Sequence, residues 1–367
     1  MLDDGINATT CTSSFYCPPS TLIPVTRELA GNTYTFLQFW QLFPWTKPFY
    51  TPFEKNFDVR PWFMFVHGNW WLPVVAIALY GVMIVTLPKY TAKKPVKCDV
   101  ALAYWNFFLA VFSTLGAIRI VPHLLWFSAT HTFKDTVCTP PQMMNGDGAS
   151  GLWCLLFTLS KVIELLDTLF VCLKGRTPIF LHWYHHVTVL SFTWTAYAAR
   201  HPGVYFIAMN YTVHAVMYSY YFLMAINAKP KWLNPMYITF LQISQMVAGV
   251  VITLCGFHYI ARDPSTCGVV PHVLYFQGLI YGSYLYLFLE FLIKRFFSSS
   301  KKGSSSLVSS LPPSRSAVAS NGAMAKGIGN GGQELAAGER DTAVAAPAAA
   351  GGKGEGYKRD SHLKKPQ

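Results

Sequence analysis

Charged side chains are scarce in this chain. Asp, Glu, Lys and Arg make up 13% of its 367 residues, against 52% hydrophobic and 16% aromatic. An amphipathic period is also missing over most of its length. The apolar residues follow neither a helical stripe nor strand alternation, but collect into runs of about 20, the length of a bilayer-spanning helix. Together these absences exclude a soluble globular class and predict an all-α, polytopic membrane protein. The formal net charge of +12 does not predict a nucleic-acid partner, because most Lys and Arg lie in short loops and in the tail, where positive-inside bias puts them. Residues 1–35 lack a charged segment leading into an apolar one, so no secretory signal is expected before the first span.

Seven spans can be drawn, at about 67–87, 101–122, 151–173, 179–198, 204–226, 236–257 and 272–293. Lys89, Lys93, Lys94 and Lys97 follow the first, Lys174 and Arg176 the third, Lys229 and Lys231 the fifth, Lys294 and Arg295 the seventh. The alternate loops are poorer in cations. The basic side is expected to be cytosolic, with the N-terminus lumenal and the C-terminus cytosolic. Three regions follow: a lumenal arm with a loop or interfacial segment over 1–66, a membrane domain over 67–296, and a Ser/Gly/Ala/Pro/Lys-rich tail over 297–367. The tail has too few large apolar groups to fold and is expected to be disordered.

Asn7-Ala8-Thr9 is a glycosylation sequon, usable only on a lumenal N-terminus. Cys138 and Cys267 both fall in expected lumenal loops, where a disulfide persists. A bridge would tie the loop after span two to the loop after span six; the alternative is two free thiols. Cys11 and Cys17 are a second candidate pair, whereas Cys154, Cys172 and Cys255 lie in spans and read as small buried hydrophobes. The chain ends Lys364-Lys365-Pro366-Gln367, which resembles a dilysine retrieval signal of endoplasmic-reticulum membrane proteins.

Polar residues inside the spans carry the chemistry. His182, His185 and His186 stand at i, i+3 and i+4 and share one helix face. Span three carries Lys161, Glu164, Asp167 and Thr168 along one stripe. Lys161 and Glu164 can neutralise each other, which leaves Asp167 to partner a histidine and fix its tautomer. Span five places Asn210, His214, Met217, Tyr218 and Tyr221 on one face, and span six Thr239, Gln242 and Gln245. Counted from the cytosolic basic residues at about 1.5 Å per residue, Asp167 lies about 10 Å deep, His185 about 13 Å, Gln242 about 16 Å, Lys161 and His214 about 20 Å. Four helices thus bring ionisable groups to one layer, which predicts a shared cavity open to the cytosol.

Three chemistries compete for that cavity. A His-x-x-His-His box also occurs in membrane di-iron oxygenases and desaturases, but those need several such boxes. Of the eleven histidines only His182, His185, His186 and His214 sit at this depth. A single zinc is a second option. The third needs no metal: a neutral imidazole is a nucleophile that accepts an acyl group, a second histidine acts as base, and a carboxylate orients it. A heptahelical receptor and a non-catalytic transporter are the readings outside enzymology.

Lys161-x-x-Glu164-x-x-Asp167-Thr168, His182-Trp-Tyr-His185-His186, His214-Ala-Val-Met217-Tyr218-Ser-Tyr220-Tyr221 and Thr239-x-x-Gln242-x-x-Gln245 occur in this order. In order and spacing they resemble the ELO family of very-long-chain fatty acid elongases, over about residues 67–296. Leu102 through Asn106 and Phe112 through Ala117 also look like that family's second span. The resemblance implies a 3-ketoacyl-CoA synthase of the endoplasmic reticulum that condenses acyl-CoA with malonyl-CoA and releases CO2 and CoA, with no bound cofactor. It implies seven spans, six of them forming a barrel around an acyl tunnel. By the family's motif His185 takes the acyl group, His214 helps to bind and decarboxylate malonyl-CoA, and Lys161, Glu164 and Asp167 support the box with His182 and His186. Asn210, Tyr218, Tyr221, Gln242 and Gln245 would contact the CoA end or the reacting carbonyl. The cysteine pair Cys138 and Cys267 is placed as in some members.

The residues around the box, Leu181 through Leu190, look more like members acting on saturated and monounsaturated chains than like polyunsaturated acyl-CoA elongases. The implied partners are the ketoacyl reductase, dehydratase and enoyl reductase of the elongation cycle, and homo-oligomerisation is left open.

Overall fold

The computed structural model describes residues 13–29, 32–144 and 146–297. Asn7, Cys11, Lys364, Lys365 and the tail from 298 lie outside the described residues.

The first part of the chain is not purely helical. β1 (Val25–Leu29) and β2 (Asn32–Phe36) pair antiparallel, Val25 opposite Phe36. Short helices follow: α1 (Phe39–Leu42), a 3₁₀ turn at Pro44–Phe49, α2 (Pro52–Lys55) and α3 (Arg60–Gly68). The aromatic and Pro-rich residues 31–66, expected as a loop or interfacial helix, therefore hold the second strand of a hairpin and short helices. Pro44, Pro52 and Pro61 sit at the start of the 3₁₀ turn, α2 and α3, where a missing N–H costs least. In α2, Thr51 and Glu54 cap each other reciprocally.

The rest is helical: α4 (Trp71–Thr91), α5 (Asp99–Thr130), α6 (Phe133–Cys138), α7 (Pro141–Met144), α8 (Gly148–Ile163), α9 (Leu166–Leu173), α10 (Phe180–Ala198), α11 (Val204–Ala225), α12 (Pro235–Arg262) and α13 (Pro271–Leu292). Among the described residues, four helices are long and apolar enough to cross a membrane: α4, α5, α12 and α13 with its continuation to Arg295. The chain is a multi-pass membrane protein.

The other stretches expected to span are helical too, but differ in kind. Residues 151–173 are broken at Glu164–Leu165, where Leu165, Asp167 and Thr168 bond back three residues instead of four. α10 and α11 are long enough, but His, Tyr, Thr and Asn lower their hydropathy. Of the stretches that carry polar stripes, α8–α9, α10 and α11 fall short, whereas α12, with Thr239, Gln242 and Gln245, does not.

Close packing holds α5 against α11 and α8. A Cβ added at Gly116 would run into the Tyr211 ring, whose hydroxyl donates to the Trp153 carbonyl at 2.9 Å. Cys138 and Cys267 are disulfide-bonded, which ties the end of α6 to the segment between α12 and α13. Cys17 is disulfide-bonded as well.

Glu54 joins the N-terminal segment to the bundle. It accepts from Arg119 Nε at 2.8 Å and from Trp153 Nε1 at 3.0 Å. Burial works against its charge, but the bonds from Arg119, Thr51 and Trp153 outweigh it and hold the carboxyl down to about 2, from an ordinary 4.5. Glu54→Ala strands the Arg119 guanidinium and should cost about 3–5 kcal/mol of stability, read as a lower Tm in detergent. Because the folded value is depressed, this stabilisation is present above pH 4.5 and is lost as pH falls toward 2. The Tm difference between the variant and wild type should therefore close over that window.

Candidate active site

One cavity of about 360 Å³ opens among α5, α9, α10, α11, α12 and the end of α13. It collects Asp167 from α9, His182, His185 and His186 from α10, Asn210, His214, Tyr218 and Tyr221 from α11, and Thr239, Gln242 and Gln245 from α12. Residues spread over about eighty positions of sequence therefore meet. Lys161 and Glu164 do not line it but sit directly behind it, 2% and 3% exposed.

Behind the cavity runs a bonded chain. Lys161 Nζ donates to Glu164 Oε1 at 2.7 Å and to Asn210 Oδ1 at 3.0 Å. Ser160 Oγ donates to the same Glu164 oxygen at 2.9 Å. An ammonium only donates, so the Asn210 amide must turn its oxygen to Lys161 and its nitrogen to His214 Nε2, 3.1 Å away. His214 Nε2 is thereby an acceptor, and the ring carries its proton on Nδ1, 3.9 Å from Glu164 Oε2. That oxygen is buried and has no hydrogen-bond partner among the described residues. The lysine fixes the tautomer of a histidine it does not touch.

The three box imidazoles have three different surroundings. His182 Nε2 lies 2.8 Å from Thr168 Oγ1, which also bonds the Tyr80 hydroxyl at 2.9 Å. His186 lines the cavity but is buried; its Nδ1 has no hydrogen-bond partner among the described residues and its ring lies 4.6 Å from that of His182. The His185 ring makes no hydrogen bond among the described residues. It is half-buried, lines the cavity, and packs 5.2 Å from Tyr284.

Asp167 departs from expectation. It does not partner a histidine: Oδ1 accepts from Trp105 Nε1 at 2.5 Å and Oδ2 from the Tyr218 hydroxyl at 2.6 Å. The tightened turn at Glu164–Leu165 sets α9 off the register of α8. Asp167 then faces α5 and α11, and Thr168 is the residue that meets His182. Asn210 and Tyr218, expected to contact substrate, already spend polar atoms on Lys161, His214 and Asp167. Tyr221, Gln242 and Gln245 line the wall, with Gln242 Nε2 donating to Met217 Sδ at 3.3 Å.

Tyr80 and Tyr284 at the site escape a reading of the motifs, and Trp105 and Asn106 lie in the stretch Leu102 through Asn106 noted above but have no role assigned there. Each is a single polar-bearing side chain in an apolar run, and such residues are most often interhelical hydrogen-bonding contacts. Among the described residues no group of three or more His, Cys, Asp or Glu side chains is arranged to hold a metal ion.

The profile of the ELO (GNS1/SUR4) family matches residues 65–304. The chain belongs to this family. Over 246 residues it is 39% identical to putative fatty acid elongase 3 of Caenorhabditis elegans, covering 66% of this chain and 75% of that protein. Over 258 residues it is 36% identical to very long chain fatty acid elongase 6 of Mus musculus, covering 68% and 94%. Over 247 residues it is 38% identical to very long chain fatty acid elongase 3 of Homo sapiens, covering 66% and 88%. The ELO match contains every side chain of the cavity described above.

Lys161→Met should leave the Glu164 carboxylate buried and unpaired, at a cost of about 3–5 kcal/mol. Adding Glu164→Gln removes that stranded charge and should recover much of the loss. Thermal unfolding of the single and double variants in detergent checks this; a double variant less stable than Lys161→Met would contradict the pairing.

Proposed function

We propose that this ELO-family protein is a fatty acid elongase that condenses acyl-CoA with malonyl-CoA to a 3-ketoacyl-CoA two carbons longer. The observation that carries the mechanism is the contrast among the box imidazoles. His182 is tied to Thr168 and His186, which lines the same cavity, is buried, while His185 is the more exposed ring and makes no hydrogen bond among the described residues.

In this reading a neutral His185 nitrogen attacks the thioester carbonyl. The C–S bond breaks, CoA leaves with the imidazole proton, and the acyl group stays on nitrogen. Malonyl-CoA then loses CO2 beside His214, and the resulting carbanion attacks the acyl carbon. The C–N bond breaks, which returns His185 and releases 3-ketoacyl-CoA. The proton balance needs one proton taken up per CO2 lost, delivered to the restored imidazole. Lys161, Asn210 and Glu164 hold His214 in one tautomer.

The architecture that suits this chemistry has seven spans, with six around an acyl tunnel entered from the cytosol. A second cavity of about 110 Å³, lined by Phe157, Thr158, Phe192, Thr193, Phe206 and Ile207 among others, lies one to two turns further along α8, α10 and α11. It supports the reading as a place for the apolar end of the chain. The site would lie in the endoplasmic-reticulum membrane, facing the cytosolic reductase and dehydratase steps of the cycle. Saturated and monounsaturated acyl-CoAs are the proposed substrates, and no bound cofactor is invoked.

Microsomes expressing the protein, given labelled malonyl-CoA and a panel of saturated, monounsaturated and polyunsaturated acyl-CoAs, should form labelled 3-ketoacyl-CoA from the first two classes. His185→Ala should lower product by at least about 10³-fold with the protein still folded. Full activity in that variant would remove His185 as nucleophile, and product only from polyunsaturated chains would overturn the substrate class.

A further inference from the structure

Asp167 is gripped from two sides. Trp105 on α5 donates its indole N–H to one carboxylate oxygen, and Tyr218 on α11 donates its hydroxyl to the other. Three helices therefore meet at one side chain. Asp167 and Tyr218 line the cavity, whereas Trp105 stands behind them, packed with Leu109 and Tyr218 and against the Phe170 ring at 6.0 Å.

The contacts continue to a histidine. The Tyr218 ring meets the His214 ring edge-on, with centroids 5.4 Å apart and planes at 78°. With its hydroxyl committed to Asp167, Tyr218 keeps one orientation, and that orientation forms a wall of His214. A buried carboxylate left with a single donor either recruits water or rotates, because an unsatisfied buried acceptor is costly. Either response would release Tyr218. The other histidines depend on other groups: His182 on Thr168 and Tyr80, and His185 on packing against Tyr284.

We infer that Trp105 is a positioning residue for the condensation half of the reaction and not for acyl loading. Its N–H fixes Asp167, Asp167 fixes Tyr218, and Tyr218 fixes the ring of His214. The inference rests on the proposed function, in which His185 carries the acyl group and His214 serves the malonyl group.

The test separates the two halves in the purified full-length protein. Acyl loading is read as CoA released from acyl-CoA alone, and condensation as labelled 3-ketoacyl-CoA after malonyl-CoA is added. Trp105→Phe keeps the bulk and removes the N–H. Its condensation kcat should fall roughly ten- to hundredfold, while loading stays within about twofold of wild type. Tyr218→Phe should lose condensation to a similar degree, and in condensation the double variant should be no worse than the worse single, as expected of residues acting through one carboxylate. Equal proportional losses in both halves, or wild-type behaviour in both, would overturn the inference. If Trp105→Phe does not fold, Trp105→Leu, which also removes the indole N–H, carries the same test with the same two outcomes. Wild-type protein that neither loads nor condenses would instead overturn the elongase reading, and the division of labour with it.

Discussion

A lysine and a glutamate buried together inside an apolar bundle set the terms for the rest of this site. Neither Lys161 nor Glu164 reaches solvent, and each would be costly to hold there alone. With the pair closed at 2.7 Å, Lys161 turns a further N–H to Asn210 and lies over the Phe157 ring, and Glu164 keeps one oxygen without a hydrogen bond among the described residues, toward His214. From these two directions follow the orientation of an amide and the tautomer of an imidazole. Lys161, Glu164, Asn210 and His214 therefore form one linked unit in which each group limits the next.

A second unit, built on Asp167 and Thr168, lies one helical turn along α9. It serves the other side of the cavity, with Thr168 bonded to His182 and Tyr80, and Asp167 bonded to Trp105 and Tyr218. The break at Glu164–Leu165 lets one stretch of chain face two directions. An unbroken helix would keep Lys161, Glu164 and Thr168 on one stripe, because i, i+3 and i+7 repeat on the same face. The tight turn separates Glu164, which serves His214, from Thr168, which serves His182.

Much of this was legible in the sequence. The apolar runs predicted the helices, and the ionisable residues inside them predicted the layer where the cavity lies, since such groups are too costly in a bilayer to be incidental. Partnerships were less legible. Asp167 was expected to meet a histidine because spacing describes a continuous helix and cannot register a local tightening of the turn. Tyr80 and Tyr284 carry no pattern, and Trp105 falls in a noted stretch without a role of its own, because a single Tyr or Trp in an apolar run looks the same whether it binds lipid, core or a catalytic group. The hairpin of β1 and β2 escaped for a related reason: five-residue strands among prolines and aromatics have too short a period to stand out.

The central claim is that His185 carries the acyl chain between the two halves of the reaction. The most direct measurement is peptide mass spectrometry of the purified protein after incubation with acyl-CoA in the absence of malonyl-CoA. The account predicts an acyl mass increment on His185 that disappears when malonyl-CoA is added. Release of CoA with no adduct, or an adduct on a different residue that is chased by malonyl-CoA, would contradict it.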